Sequence, residues 1–391
     1  MSRHGRVLVA MSGGVDSSVT AGLLHEAGYE VVGVTMKTWD YETSLGGSGV
    51  SRAGVSGKPQ SGCCSLDDMN DARAVAVRLG ASHTVVDIRD EFGGWVIDRF
   101  EADYLAGRTP NPCVLCNTHI KWAALLKRAD ALGCEHIATG HYARVRQRDG
   151  RWVVSRGLDR SKDQSYVLWG VAQAHLARTL FPLGGLAKTE IRRLAAEMGF
   201  DHVAQKPDSY EICFVPDDDY RGFLRRRSPA TAAIAGGPFV HVETGEVVGR
   251  HEGYPFYTVG QRRGLGIALG EPVYVVRIEP ETNTVVVGPR EALAERVLAA
   301  SGVVWSGRAG LDGEAALHGQ IRHRDPGAPA VVRQTGPDAL EAVFAEPRDA
   351  VAPGQAAVFY DGDDVVAGGW IDRQPAADDA PSAEFVALPT L

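Results

Sequence analysis

Two groups of residues in this chain have types and spacings that can do chemistry. The first is Ser12-Gly13-Gly14-Val15-Asp16-Ser17-Ser18, which directly follows the apolar run VLVAM. A strand running into adjacent glycines and then a helix gathers backbone amides and the positive end of a helix dipole at one spot, where an anion can sit. The glycines allow close approach of a phosphate, the serines offer hydroxyls, and Asp16 suits Mg2+ directly or through water. No lysine follows the glycines, so this is not a Walker A loop, and the usual hydrolysis at the γ-phosphate is excluded with it. The loop reads as the phosphate cradle of an ATP-using enzyme. The second group is cysteines. Cys63, Cys64, Cys113, Cys116, Cys134 and Cys213 are too few and too scattered for a disulfide-stapled fold and suit thiol chemistry in a reducing compartment.

The elements that must position these groups follow from the pattern of the chain. Up to residue 140, short β-rich runs (RVLVAM, VVGVTM, HTVVDI, EHIATG) alternate with helical patterns at 17–27, 66–79 and 91–105. Such alternation implies an α/β fold with a parallel sheet covered by helices. The Gly/Ser-rich stretch at 45–62 has no periodicity and is expected to be a mobile loop. YARVRQ and WVVSRG flank Asp149-Gly150 and predict a β-hairpin, followed by helices over 165–178 and 188–198. After Pro216 the glycine-punctuated runs GGPFVHV, GEVVG, YPFYTVGQ, PVYVVRIEP and TNTVVVG imply a small β-rich module. From 291 onward, six strand-like runs at 302–305, 314–322, 330–334, 340–344, 355–360 and 365–371 are spaced like a small antiparallel barrel, with a loose acidic tail. The expected domains are therefore 1–215, 216–290 and 291–391.

With 391 residues, 44% hydrophobic and 23% charged, the composition is that of an ordinary globular protein. No apolar run is long enough to span a membrane and the N-terminus lacks a signal-peptide pattern, which together predict a soluble, cytoplasmic protein with no membrane partner. A net charge of −8 excludes a protein that coats nucleic acid non-specifically. Local basic clusters remain in RVRQRDGR, FLRRR, QRRG and IRHR.

SGGVDS on a first strand resembles the PP-loop ATP pyrophosphatases, which bind the β,γ-pyrophosphate of ATP and activate a substrate oxygen as its adenylate. Further motifs occur in order: GVTMKTW, TPNPCVLCNTHIKW, ATGHYAR, KDQSYVL, EICF, YTVGQRRGLGI and the late Pro353-Gly354-Gln355. Together they resemble the bacterial tRNA-specific 2-thiouridylases over nearly the whole chain. The resemblance implies an adenine nucleotide alpha hydrolase-like catalytic domain, a β-rich central domain and a tRNA-binding barrel. It also implies thiolation of the wobble uridine of tRNA, with ATP consumed in the presence of Mg2+, AMP and pyrophosphate released, and sulfur received from a protein persulfide carrier; the enzyme is expected to be a monomer.

Residue by residue, the resemblance makes Cys116 the nucleophile and Cys213 the persulfide bearer that later closes a disulfide with it. It places ATP contacts at Ala10, Met11, Ser12, Gly13, Gly14, Val15, Asp16 and Ser17, with Met36 and Gly140 on the adenine side. It places tRNA contacts at Asn111, Pro112, Cys113, His141, Lys162, Asp163, Gln164, Arg322, His323 and Gln355. Replacing the C2 oxygen of uridine by sulfur needs a leaving group on that oxygen and a thiolate or persulfide to attack the carbon, which two cysteines can supply. Cys113 departs from the family pattern, in which an aspartate stands there. The resulting CxxC with Cys213 leaves several readings open: three ligands of a [4Fe-4S] cluster, a redox-active pair, a cysteine without a chemical role, or a zinc site, for which four ligands are normally wanted. Cys63-Cys64 could add ligands, and Cys134 reads as core.

Overall fold

The computed structural model describes residues 3–39, 65–207, 212–215 and 219–373. The stretch 45–62, Cys63, Cys64, Glu211, Pro216 and the tail from 374 onward lie outside the described residues. The chain divides into two compact units, one comprising Met1–Asp98 and Pro112–Phe223, the other Arg99–Asn111 and Leu224–Leu391.

In the first unit, strands β1 (Arg6–Ala10), β2 (Glu30–Lys37), β3 (Ser82–Asp87), β4 (His136–Ala138) and β7 (Thr179–Leu180) form a sheet of order β3-β2-β1-β4-β7 in which every pairing is parallel. The central strand β1 is fully buried at Val7, Leu8 and Val9, as expected of a parallel strand covered on both faces. Helix α1 (Val15–Glu26) follows β1, and helix α2 (Leu66–Arg78) precedes β3. Ser65 caps α2 by accepting from the Asp68 amide at 3.1 Å, while its hydroxyl donates to the Asp68 carboxylate at 2.5 Å. The predicted hairpin is present as β5 (Ala143–Arg148) and β6 (Arg151–Arg156), turning through Asp149 and Gly150 at φ 50 and 76°.

Three local expectations are corrected. The helix predicted over 91–105 is broken into Arg89–Phe92, a π-helical turn at Gly93–Ile97 and Asp98–Leu105; the pair Gly93-Gly94 weakens the α-helical ladder there. The helix predicted over 165–178 is only a 3-10 turn at Ser165–Val167 and a short helix at Gln173–Leu176. Between them Gly170 passes so close to Thr118 that a Cβ would stand 2.3 Å from its hydroxyl, so tertiary contact overrides local periodicity. YPFYTVGQ is a 3-10 turn at Tyr254–Phe256 rather than a strand, because its rings serve the core: Tyr257 packs edge-on against Phe239 at 5.2 Å.

In the second unit, β8 (Pro238–His241), β9 (Val247–Arg250), β10 (Tyr274–Glu279) and β11 (Thr284–Gly288) form a sheet of order β10-β11-β8-β9. The predicted barrel is closed by six antiparallel strands, β12 (Ala294–Trp305), β13 (Glu314–Gln320), β14 (Ala328–Gly336), β15 (Ala339–Asp349), β16 (Ala356–Asp361) and β17 (Asp364–Ile371), with β12 pairing to both β15 and β17. Its core includes Leu298, Val332, Phe344 and Phe359. The fold class is the one the sequence implies: a parallel-sheet domain, a β-rich module and a β-barrel. Among the described residues no helix is long and apolar enough to cross a membrane.

Candidate active site

The sheet order reverses between β1 and β4, and ligands in parallel α/β sheets bind outside the carboxyl ends of strands at such a reversal. The loop from Met11 to Gly14 leaves β1 at this point. Gly13 has φ +75°, and a Cβ there would lie 2.1 Å from the carbonyl oxygen of Asp68, so only glycine fits. Gly14 caps α1 in an extended conformation, and a Cβ on it would meet nothing nearer than Ser12 Oγ at 3.7 Å, which leaves this face open to a ligand. Across the switch point Gly140 abuts the start of α1: a Cβ there would stand 3.0 Å from both the Asp16 carbonyl carbon and the Ser17 nitrogen. Met36, near the end of β2, is half-buried in register with Val86.

The serines tie the loop to itself. Ser17 Oγ accepts from the Ser12 amide at 3.1 Å and donates to the Gly14 carbonyl at 3.1 Å, and Ser18 Oγ donates to the same carbonyl at 2.9 Å. Behind the loop, buried Thr35 donates to the Met11 carbonyl at 2.7 Å and shares a 2.9 Å hydrogen bond with His83 Nε2. Since the Thr35 proton is spent on Met11, His83 must donate through Nε2. Burial, assisted by the nearby charge of Arg73, lowers the His83 pKa.

The local sequence holds no lysine for this loop, yet the fold delivers two. Lys188 Nζ, from the first residue of helix Lys188–Glu197, donates to both oxygens of Asp16 at 2.7 and 2.9 Å, and Tyr142 donates its hydroxyl to the same carboxylate at 2.6 Å. Lys206 Nζ donates to the Gly13 carbonyl at 3.1 Å and to Asp68 at 2.9 Å and also pairs with Asp71. Burial lowers the Lys206 pKa, but the hydrogen bonds to Asp71 and Asp68 outweigh it and the net direction is up. No local signal marks either lysine, because each lies more than 170 residues from the glycines it approaches.

Cys113 is exposed in the helical turn Pro112–Leu115, and Cys116, half-buried, opens a π-helical turn at Cys116–Lys121. π-turns concentrate at functional sites. The turn is fastened by Asn117, which donates to the Val167 carbonyl at 3.1 Å, and by Trp122, whose indole donates to Thr179 Oγ1 at 2.8 Å. His119 stacks on Trp95 at 4.8 Å, and partial desolvation lowers its pKa. Cys213 is exposed, next to Phe214, whose buried ring packs on Phe92 at 5.8 Å and Phe223 at 5.4 Å. The helical segment from Arg89 through Ile97 thus packs against both cysteine-bearing turns. Cys134 is buried in the core. Among the described residues no group of three His, Cys, Asp or Glu side chains is arranged to hold a metal ion.

The residues suggested for RNA fall into two kinds. Arg322 and His323 lie exposed on a turn of the barrel unit that the buried Asp325 holds by accepting from the Ile321 amide at 3.0 Å and from Arg348. Lys162 is half-buried. The others have internal duties. Asp163 accepts from the amides of Gly157 and Ser165 at 2.8 and 3.2 Å, and Gln164 accepts from the Tyr142 amide at 3.0 Å. His141 is buried between Trp122 and Phe181, shares a 2.7 Å hydrogen bond with Thr139, and has its pKa driven well below the usual value by burial and the charge of Lys121. Gln355 donates to the Thr109 and Pro110 carbonyls at 3.2 and 3.0 Å, and the Thr109 amide donates to Pro353 at 2.7 Å. The late Pro-Gly-Gln motif thereby grips the backbone leading to the buried Asn111 and Pro112.

Comparison with known proteins matches this architecture piece by piece. Residues 5–217 match the tRNA methyl transferase HUP domain family, 222–289 its PRC-barrel domain, and 295–371 the aminomethyltransferase beta-barrel domain. The tRNA-specific 2-thiouridylase MnmA of Salinibacter ruber is 58% identical over 381 residues, 97% of each chain. The chain belongs to the tRNA-specific 2-thiouridylase family. Other members that it resembles are the MnmA proteins of Cytophaga hutchinsonii, 57% identical over 95% of this chain and 98% of the relative, and of Carboxydothermus hydrogenoformans, 49% identical over 94% and 98%. Family membership spans all three domains, so the loop and the cysteine-bearing turns come with a barrel of the family's own type.

Proposed function

We infer that this chain, a tRNA-uridine 2-sulfurtransferase by family, thiolates the wobble uridine of tRNA through an adenylated intermediate and a cysteine persulfide. The observation that carries this reading is the presence, in one unit, of an open phosphate cradle at the sheet's switch point and of two accessible thiol turns packed on one helical segment. ATP in the cradle would present its α-phosphorus to the uridine C2 oxygen. That oxygen forms the new P–O bond as pyrophosphate leaves. The terminal sulfur of a Cys213 persulfide, loaded by a protein carrier, then attacks C2, and AMP departs with the oxygen. Attack of the Cys116 thiolate on Cys213 Sγ frees the thiocarbonyl sulfur and closes a Cys116–Cys213 disulfide, which a dithiol must reduce before the next turnover.

Asp16 is the carboxylate suited to hold Mg2+, since it lies at the loop and already faces a cation; the ion would neutralise the departing pyrophosphate. No step is drawn through a [4Fe-4S] cluster, because among the described residues no three metal-ligating side chains are gathered at one point. Arg322, His323 and Lys162 are proposed to meet tRNA phosphates, Asn111, Pro112 and Cys113 to lie near the target base, and Gln355 to hold the backbone of Thr109 and Pro110. The enzyme is proposed to act as a cytoplasmic monomer.

The test is incubation of the full chain with unmodified tRNA, ATP, Mg2+ and a persulfide donor, with 2-thiouridine read by nucleoside chromatography. Cys116→Ser and Cys213→Ser should abolish thiolation while tRNA-dependent pyrophosphate release continues. Thiolation that survives loss of Cys213, or iron bound by the active protein, would overturn this route.

A further inference from the structure

A phosphate cradle whose own side chain is a carboxylate faces an electrostatic problem. Asp16 sits in the first turn of α1, and a triphosphate arriving there meets a like charge. The helix dipole offers only about half a positive charge in compensation. P-loops solve this with a lysine in the loop itself, which this sequence lacks. Among the described residues, the lysines whose ammonium groups rest on the loop are Lys188 and Lys206, and their bonding differs. An ammonium has three N–H donors. Lys206 directs its group to three separate acceptors, the Gly13 carbonyl, Asp68 and Asp71, which makes it a brace between loop and α2. Lys188 places its ammonium on the two oxygens of Asp16.

We propose that Lys188 is the cation that binds the pyrophosphate portion of ATP, stored on Asp16 until the nucleotide enters. The proposal rests on reading the loop as the ATP site. The Lys188 backbone is held by its amide, which donates to the Asp159 carboxylate at 3.1 Å, and the side chain is only 11% exposed, which keeps the ammonium close to the loop. A lysine suits the exchange because its charge is compact and its stem flexible, whereas a guanidinium would fork rigidly onto the carboxylate. Asp16 is not stranded when Lys188 leaves, since the Tyr142 hydroxyl stays on it at 2.6 Å and a divalent cation accompanying ATP can take the place of the ammonium. The Tyr142 ring, 5.6 Å from Lys188 Nζ, lines the path of the ammonium.

Calorimetric titration of the full chain with inorganic pyrophosphate, ATP and AMP tests this. Lys188→Met should weaken pyrophosphate and ATP binding by about tenfold or more, the usual scale for losing a charge-assisted phosphate contact, and leave AMP binding within about twofold. Lys188→Arg should recover part of the loss. Asp16→Asn releases the stored cation and should tighten pyrophosphate binding in metal-free buffer; adding Lys188→Met should cancel that gain. Unchanged pyrophosphate affinity in Lys188→Met would overturn the proposal, as would equal loss of AMP, or an Asp16→Asn gain that persists without Lys188. Failure of the unaltered chain to bind either ATP or pyrophosphate would instead overturn the ATP-site reading itself.

Discussion

Replacing Gly13 by alanine attacks the loop at its tightest point, and the structure gives the scale. The backbone there has φ +75°, which costs an L-residue about 1–2 kcal/mol. The added methyl would stand 2.1 Å from the Asp68 carbonyl oxygen, and the nearest neighbours are backbone atoms that cannot rotate away. Relief therefore requires the loop and the start of α2 to separate by roughly 1 Å, a displacement that typically costs about a hundredfold in rate when it falls on positioning groups. Gly13→Ala should lower kcat/KM for ATP by about that factor, measured as tRNA-dependent pyrophosphate release, and lower the melting temperature by several degrees. Gly14→Ala is the control. Its φ is −94° and a methyl there has open space, so melting should be unchanged and any loss of ATP affinity measures room the ligand itself requires. Wild-type melting and pyrophosphate release in Gly13→Ala would refute the reasoning.

Two further outcomes concern stability. Thr35→Val keeps the side-chain shape but removes the donor to the Met11 carbonyl and the acceptor for His83, and should cost about 2–4 kcal/mol in denaturant melts with weakened ATP binding; a cost under about 0.5 kcal/mol would show that the buried pair is dispensable. Glu295, opposite Arg348 on β15, has one buried carboxylate oxygen without a hydrogen-bond partner, and burial raises its pKa to about 7. A carboxyl raised in the folded state stabilises while protonated, and that contribution fades as pH climbs through 7. Glu295→Gln should therefore melt like the unaltered chain at pH 5 and be more stable at pH 8, by an amount of order 2 kcal/mol after allowing for partial exposure. Buried histidines such as His83 and His251, whose pKa values burial lowers, destabilise in the opposite direction below about pH 6.5. The difference between the two proteins is thus the quantity to follow; parallel pH profiles would discount the burial of Glu295.

How much of this was legible in the chain depends on the range of the interaction concerned. Strand β1 running into Gly13, Gly14 and α1 is a local pattern, and so are the hairpin at Asp149-Gly150 and the alternating strands of the barrel; period and turn chemistry suffice for each. The helix expected over 165–178 failed because Gly170 answers to Thr118, a contact that no window of neighbouring residues contains. The break at Gly93–Ile97 was signalled by two adjacent glycines, but the π-turn at Cys116 was not, since its sequence differs little from that of an ordinary helix.

The site divides along the same line. By itself the sequence determined the reactive types: a lysine-free phosphate loop, the CxxC at Cys113 and Cys116, and the distant Cys213. Only the tertiary structure decided what surrounds them. It assigned Gln355 to the backbone before Asn111, buried His141 among aromatic rings, and brought Lys188 and Lys206 to the loop. The physical reason is that a backbone cradle is encoded by neighbours in the chain, whereas the charge that balances it need only be near in space.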